Sequence, residues 1–131
     1  YKQMKTVGIG VDIVENKRIR KLVSNKNFIM RTFGLKEITI SKKITDRTNY
    51  FAKRFAAKES LVKAIGSGIR DGINFKDIEI LNNRFGKPSY LINKKIKNFV
   101  KKKLDLKNFE LFLSITDEKD YSVAFTLIQK K

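Results

Sequence analysis

The residues of this chain that could take part in chemistry are carboxylates and cations, because its 131 residues include no Cys and no His. This composition excludes a thiolate nucleophile, a zinc finger, a Ser-His-Asp triad and any histidine-ligated metal. A bound metal would therefore be a hard cation such as Mg2+ among oxygen ligands. Proton transfer would have to use Asp, Glu, Lys, Tyr or water.

The residues best suited to take part in a reaction are Asp12, Glu59, Lys63 and Arg54. Asp12 stands at the predicted end of the first strand, and Glu59 lies on a small-residue stripe of the longest predicted helix. If that helix packs across the strand, the two carboxylates could share one hard cation, with water and phosphate oxygens completing its shell. Together with the two cations, this arrangement suits phosphoryl or pyrophosphate transfer. Spacing alone favours a simpler alternative, a helical Glu59–Lys63 pair with Asp12 as a helix cap.

These residues must be positioned by the elements of one α+β domain, which we expect to span residues 1–131. Apolar residues alternate through 7–14 and predict a strand, whose other face carries Gly8, Gly10 and Asp12, so that a neighbour could approach its backbone closely. A basic amphipathic helix with Ile19 on its apolar stripe follows. The strongest helical pattern covers residues 49–65 and ends where Gly66 and Gly68 follow.

The second half of the chain alternates between strand and helix patterns. Residues 78–80 and 89–91 are predicted strands on either side of a turn at 82–88, and a further helix covers 92–100. Residues 111–116 and 121–128 predict a closing hairpin with its turn at 117–120.

The formal net charge of +17 would attract polyanions or acidic proteins. Composition alone leaves nucleic acid, a nucleotide cofactor and an acidic protein as possible partners, so one alternative is a non-catalytic basic binding module. Such a module predicts aromatic residues interleaved with basic ones on an exposed surface, whereas the aromatic residues here follow core periodicity. No apolar run is long enough to span a bilayer. We therefore expect neither nucleic acid nor a membrane as a partner.

Two sequence motifs stand at residues 8–19 and 54–68. The first reads GIGVDIVE with Arg18-Ile19 shortly after it, and the second reads RFAAKESLVKAIGSG. Both resemble the motifs of the holo-acyl-carrier-protein synthases, the small stand-alone 4′-phosphopantetheinyl transferases. Residues 75–80, 86–88 and 113–116 also resemble later segments of this family, in the same order.

The resemblance implies a fold in which an antiparallel sheet packs on a long central helix, in a trimer with sites between subunits. The enzyme would move the phosphopantetheine arm of coenzyme A to a serine of apo acyl carrier protein, with adenosine 3′,5′-bisphosphate as the other product, in support of fatty-acid biosynthesis. Asp12 and Glu59 would hold Mg2+. Lys63 would neutralise the α-phosphate and assist proton transfer to the leaving group.

The resemblance also assigns residues to the two substrates. Contacts with the coenzyme would come from Arg47, Arg54, Lys63, Gly66, Gly86, Lys87, Pro88, Ser114 and Thr116. Arg18 would bind the acidic carrier protein, with Lys21 beside it. From the residues alone, Lys21 and Arg47 could equally be solvated surface cations. Residues 86–88 could be only a hairpin turn, and Ser114 and Thr116 only the outer face of a strand.

The chain departs from the family where Asp117 replaces a common His, so no imidazole role is inherited. The proton acceptor is left open among a metal-bound water, Glu59 and Asp12. Such synthases act in the bacterial cytoplasm or in plastids. The chain begins with Tyr1 and lacks a signal-peptide core, which suits a trimmed precursor or a recombinant truncation equally well.

Overall fold

The computed structural model describes residues 5–66 and 73–131 as an α+β fold, as predicted. Its elements, in chain order, are β1 (Lys5–Glu15), α1 (Asn16–Leu22), α2 (Lys26–Thr32), α3 (Leu35–Ser41), α4 (Arg47–Ile65), a 3-10 turn (Phe75–Asp77), β2 (Glu79–Asn82), β3 (Pro88–Leu91), α5 (Lys94–Leu104), β4 (Phe109–Asp117) and β5 (Tyr121–Lys130).

The strands of the described residues form two antiparallel sheets that surround α4. One sheet has the order β1–β5–β4, and the other is the β2–β3 hairpin. In the larger sheet Val11 lies opposite Phe125 and Ile13 opposite Val123. α4 packs across β1 and β5. The prediction of an antiparallel sheet on a long central helix is confirmed.

Local sequence signals begin and end α4. The Asp46 side chain accepts a hydrogen bond from the Asn49 amide at 3.0 Å, which caps the first turn. The helix ends at Gly66, whose φ of 80° lies in the left-handed region that glycine adopts without strain. The predicted second stop residue, Gly68, lies outside the described residues.

The glycines of β1 allow the strand to lie directly against α4. A Cβ atom at Gly10 would be 1.9 Å from the carbonyl oxygen of Ser60, and one at Gly8 would be 2.3 Å from that of Ala64. No side chain fits at either position. The close approach expected from the sequence is confirmed, and the element that makes it is α4.

A buried ion pair joins α3 and α4. Lys58 Nζ lies 2.6 Å from Glu37 Oε1, and both side chains are fully buried. Glu37 also accepts hydrogen bonds from the amides of Gly34 and Ile80, while Lys58 donates to the carbonyl of Phe75. Burial lowers the pKa of Lys58, and the nearby Glu37 carboxylate opposes that shift.

The apolar side of β1 points away from α4. It belongs to a surface that we call the outer sheet face, whose exposed apolar side chains are Ile9, Val11, Ile13, Phe112 and Phe125. Each of these five residues is between 40% and 63% exposed. A face of this kind is normally covered by a partner. Among the helices of residues 5–66 and 73–131, none is long and apolar enough to cross a membrane.

Candidate active site

The close contact of β1 with α4 brings Asp12 beside Lys63. Lys63 Nζ donates to Asp12 Oδ1 at 2.8 Å and to the Val11 carbonyl at 3.2 Å. The Asp12 side chain is 13% exposed and that of Lys63 is 54% exposed, so the lysine lies at the mouth of the site. The hydrogen bond to Asp12 raises the pKa of Lys63, which therefore carries its proton at neutral pH.

Two details of the sequence prediction for Asp12 are wrong. β1 continues to Glu15, so Asp12 lies inside the strand rather than at its end. The alternative in which Asp12 caps α1 also fails, because Glu15 is the N-cap residue and makes no side-chain cap. The strand continues beyond Asp12 because Ile13, Val14 and Glu15 remain paired with β5.

Glu59 lies on the same side of the molecule as Asp12. Burial raises the pKa of Glu59, the negative charge of Asp12 raises it further, and the positive charges of Lys63 and Arg18 lower it. The predicted helical partner Lys63 thus acts on Glu59 electrostatically, while its hydrogen bond goes to Asp12. Asp12 and Glu59 are two half-buried carboxylates that repel each other. A cation bound between them would relieve this repulsion.

The carboxylates of this site suit a hard cation whose remaining oxygen ligands come from the substrate. Within the described residues there is no group of three or more His, Cys, Asp or Glu side chains that could hold a metal by themselves. Mg2+ is typically bound by one or two carboxylates, with waters and substrate phosphates supplying the other oxygens. Asp12 and Glu59 provide such a pair.

Arg18 and Lys21 lie on α1, which packs against α4. Both side chains are exposed. The structure therefore places the two residues predicted to bind a partner on the surface. Arg18 is also close enough to Glu59 for its positive charge to oppose the rise in the pKa of Glu59.

A second group of predicted residues surrounds a cavity of about 90 Å3 near the middle of α4. The cavity is lined by Lys53, Arg54, Asn82, Gly86, Pro88, Ile115 and Asp117. Arg54 is 5% exposed, donates to Asn82 Oδ1 at 2.9 Å, and stacks over the Tyr50 ring at 3.7 Å. Its Nε has no hydrogen-bond partner, and burial lowers its pKa. A buried guanidinium with a spare donor is suited to an anion such as phosphate.

The remaining predicted residues lie apart from these two groups. Arg47 is exposed at the start of α4, with its guanidinium 5.4 Å from the Phe51 ring centre. Gly66 is exposed at the end of the same helix, and Lys87 is exposed in the turn between β2 and β3. Ser114 and Thr116 lie on the outer sheet face, as the simpler interpretation of their alternation proposed. Within one chain, the structure does not gather the predicted coenzyme residues into one pocket.

Sequence reasoning missed several neighbours of these sites. Tyr50 and Asn82 hold Arg54, and Asn49 donates to Asp117 Oδ2 at 2.7 Å. Asn82 stands in the turn-rich segment that the sequence identified, but nothing there indicated contact with α4. The contacts of Asn82 and Asn49 join residues far apart in the chain, so spacing carried no signal for them, whereas Tyr50 and Arg54 stand four residues apart on α4.

The comparison with known proteins defines the class first. Residues 8–126 match the family model described as the 4′-phosphopantetheinyl transferase superfamily. The chain is 55% identical over 128 residues to a holo-[acyl-carrier-protein] synthase of Pelagibacter ubique, covering 98% of this chain and 100% of that one. It is 44% identical to one from Wolbachia pipientis, covering 92% and 95% of the two chains.

Solved structures give the same result. A holo-[acyl-carrier-protein] synthase from Neisseria meningitidis matches with a TM-score of 0.86 and 34% identity, over 96% of this chain and 100% of that one. A Bacillus anthracis synthase in complex with CoA (3′,5′-ADP) matches with a TM-score of 0.80 and 32% identity, over 98% and 100%. The chain therefore belongs to the 4′-phosphopantetheinyl transferase superfamily and, within it, to the holo-[acyl-carrier-protein] synthases. The family and the enzyme class predicted from the sequence are confirmed.

Proposed function

We propose that this chain transfers the 4′-phosphopantetheine arm of coenzyme A to a serine of an apo acyl carrier protein, in support of fatty-acid biosynthesis. The observation that carries the proposal is the meeting of Asp12, Glu59 and Lys63 where β1 crosses α4. The serine oxygen would bond to the phosphorus that bears the pantetheine arm. The bond from that phosphorus to the bridging oxygen would break, and adenosine 3′,5′-bisphosphate would leave with the electron pair.

Asp12 and Glu59 would hold a Mg2+ ion, which when bound would neutralise charge on the diphosphate. Lys63 is exposed enough to turn from Asp12 toward the leaving phosphate, where its ammonium group would neutralise the negative charge that develops. The serine proton would pass to Glu59, to Asp12 or to water. Arg54, which lines the cavity and whose buried Nε has no partner, would bind a coenzyme phosphate, with Arg47 earlier on the same helix.

We further propose that the enzyme is a homotrimer with its active sites between subunits. Two features support this: the exposed apolar residues of the outer sheet face, and the separation of the Asp12 group from the Arg54 cavity within one chain. A neighbouring subunit on the outer sheet face would cover Val11 and Phe125 and would place Ser114 and Thr116 at the junction. Exposed Gly66, Gly86 and Lys87 would complete the coenzyme site, together with Pro88 at the start of β3.

The oligomer has a direct test in the molar mass in solution. Light scattering should give three times the chain mass of 15.2 kDa, and Val11→Lys combined with Phe125→Lys should give a folded monomer that transfers poorly. A wild-type monomer with full activity would refute the intersubunit site.

For the carrier protein, exposed Arg18 and Lys21 offer a basic surface that complements an acidic partner.

The relatives named above are bacterial, which supports the bacterial cytoplasm as the compartment in which the enzyme works. They give no support to the plastid that the sequence had left open.

The proposed reaction is tested by mass spectrometry of the carrier protein. Apo carrier protein incubated with coenzyme A, Mg2+ and the enzyme should gain one phosphopantetheine. Asp12→Ala and Glu59→Ala should each abolish the gain while the fold persists. Asp77→Ala is the matched control, since it removes a carboxylate from another salt bridge, that with Lys95 at 2.9 Å. No adduct from the wild type would refute the proposal.

A further inference from the structure

Asn16, the first residue of α1, is a buried polar residue that none of the steps above uses. Only 7% of it is exposed, and it contacts the turn between β4 and β5. Its Nδ2 donates to the carbonyls of Glu118 at 3.2 Å and Lys119 at 3.1 Å. Its Oδ1 accepts from the buried Ser122 hydroxyl at 2.8 Å, and its backbone amide donates to the Asp120 carbonyl at 2.8 Å. We call these four contacts the Asn16 clamp.

The clamp matters because α1 has little stability of its own. The helix has seven residues, and its N-cap Glu15 makes no side-chain hydrogen bond. A helix this short depends on tertiary contacts for its conformation and orientation. Ile19 provides one such contact as a fully buried side chain. The clamp provides a second, by tying the start of the helix to the turn of the β4–β5 hairpin.

The clamp also lies between parts of the site that have different tasks. Asp12 precedes it on β1, and Arg18 and Lys21 follow it on α1. The Arg54 cavity shares no residue with the clamp, and its nearest lining residue along the chain is Asp117, which pairs with Ser122. A shift of α1 would therefore move the two exposed cations relative to Asp12, while the coenzyme's proposed phosphate site stays in place.

We propose that Asn16 is a positioning residue for the carrier protein, because it holds α1 in the orientation in which Arg18 and Lys21 meet that protein's acidic surface. The inference rests on the proposed function of the chain. A docking helix that is already ordered loses less conformational entropy on binding than one that must be ordered by the partner. Loss of the clamp therefore weakens carrier binding selectively.

Steady-state kinetics of Asn16→Ala test this role. The KM for the carrier protein should rise on the order of 10-fold, equivalent to about 1.4 kcal/mol, with kcat and the KM for coenzyme A within about twofold of wild type. Ser122→Ala removes one of the three side-chain hydrogen bonds and should give a smaller rise, about threefold. It also serves as the readout if Asn16→Ala does not fold.

Asn93→Ala is the matched control. Asn93 caps α5 through a 2.9 Å hydrogen bond from the Ile96 amide and donates to the Asp77 carbonyl at 3.2 Å, so its loss removes comparable helix-anchoring bonds elsewhere. It should lower the melting temperature and leave the KM for the carrier unchanged. An equal rise of this KM in Asn93→Ala would show that Asn16 acts only through general stability, and would overturn the inference.

A double-mutant cycle with Arg18→Ala identifies the route of the effect. If Asn16 acts by orienting Arg18, then Asn16→Ala should raise the carrier KM much less in the Arg18→Ala background than in wild type. A full, additive rise in the Arg18→Ala background would overturn the role of Asn16 while leaving the proposed function intact. So would an unchanged carrier KM in both Asn16→Ala and Ser122→Ala, if the enzyme is active. A wild type that transfers nothing would instead overturn the proposed function and this role with it.

Discussion

Gly10→Ala is the substitution that most directly links the fold to the site. The added Cβ would lie 1.9 Å from the Ser60 carbonyl oxygen and 2.6 Å from the Ala64 amide nitrogen. Ordinary van der Waals contact begins at 3.4 Å, so β1 and α4 must separate by about 1.5 Å to admit the methyl group. Both obstructing atoms belong to the backbone of α4 and cannot rotate away.

The separation should cost both stability and activity. Overpacking typically costs about 1–3 kcal/mol, and the rigid obstruction places Gly10→Ala at the upper end, which corresponds to a drop in melting temperature of about 10 °C. Asp12 lies on β1 and Glu59 on α4, so the same movement pulls the two carboxylates apart. A misplacement of about 1 Å at a reacting centre can lower the rate on the order of 100-fold, and we expect kcat/KM to fall by at least that factor.

The assay combines thermal unfolding with the rate of carrier modification, measured well below the melting temperature of the variant. Asn93→Ala is the stability control. It removes the cap of α5 and a hydrogen bond to the Asp77 carbonyl, so it lowers stability without separating β1 from α4. A Gly10→Ala enzyme that unfolds and transfers like wild type would refute the conclusion that contact between β1 and α4 builds the site.

Three further outcomes follow from the charges. Because burial and Asp12 raise the pKa of Glu59, the folded state holds that proton more tightly than the unfolded state and loses stability as pH rises through the raised pKa. Metal-free Glu59→Gln should therefore melt higher than wild type at pH 8 but not at pH 4, and a lower melting temperature at pH 8 would contradict this. Lys58→Met leaves Glu37 buried without its ion pair and should cost about 3–5 kcal/mol in urea unfolding, partly recovered by adding Glu37→Gln; an unchanged midpoint would contradict it. Asp117→Asn removes a negative charge from the Arg54 cavity and should lower the KM for coenzyme A roughly two- to fivefold, with the carrier KM as its control; a higher coenzyme KM would contradict a phosphate site there.

The elements of this fold could be predicted from the sequence because their signals are local. Helix α4 has a capping Asp46, an apolar face and a terminal Gly66, and the closing hairpin has two alternating segments around a polar turn. The alternation in β1 likewise predicted two faces. It could not show which of the two faces would be exposed, because that depends on the long-range packing of β1 against α4.

Long-range polar contacts were beyond the sequence. Lys58 and Glu37 look like ordinary surface charges until three elements enclose them, and Asn16 looks like a helix-start residue until the hairpin turn folds over it. The meeting of Asp12 with Lys63 also spans many residues, and spacing alone favoured the simpler helical pair. The resemblance to a family predicted that Asp12 and Lys63 belong to one site. The packing of β1 on α4 gives the physical reason.

The central claim is that Asp12 and Glu59 hold one divalent ion together, and metal binding tests it most directly. Electron paramagnetic resonance can count bound Mn2+, used in place of Mg2+, with adenosine 3′,5′-bisphosphate present to supply phosphate oxygens. We predict one bound Mn2+ per chain in wild type and none in folded Asp12→Ala or Glu59→Ala. Undiminished Mn2+ binding in both variants would contradict the account.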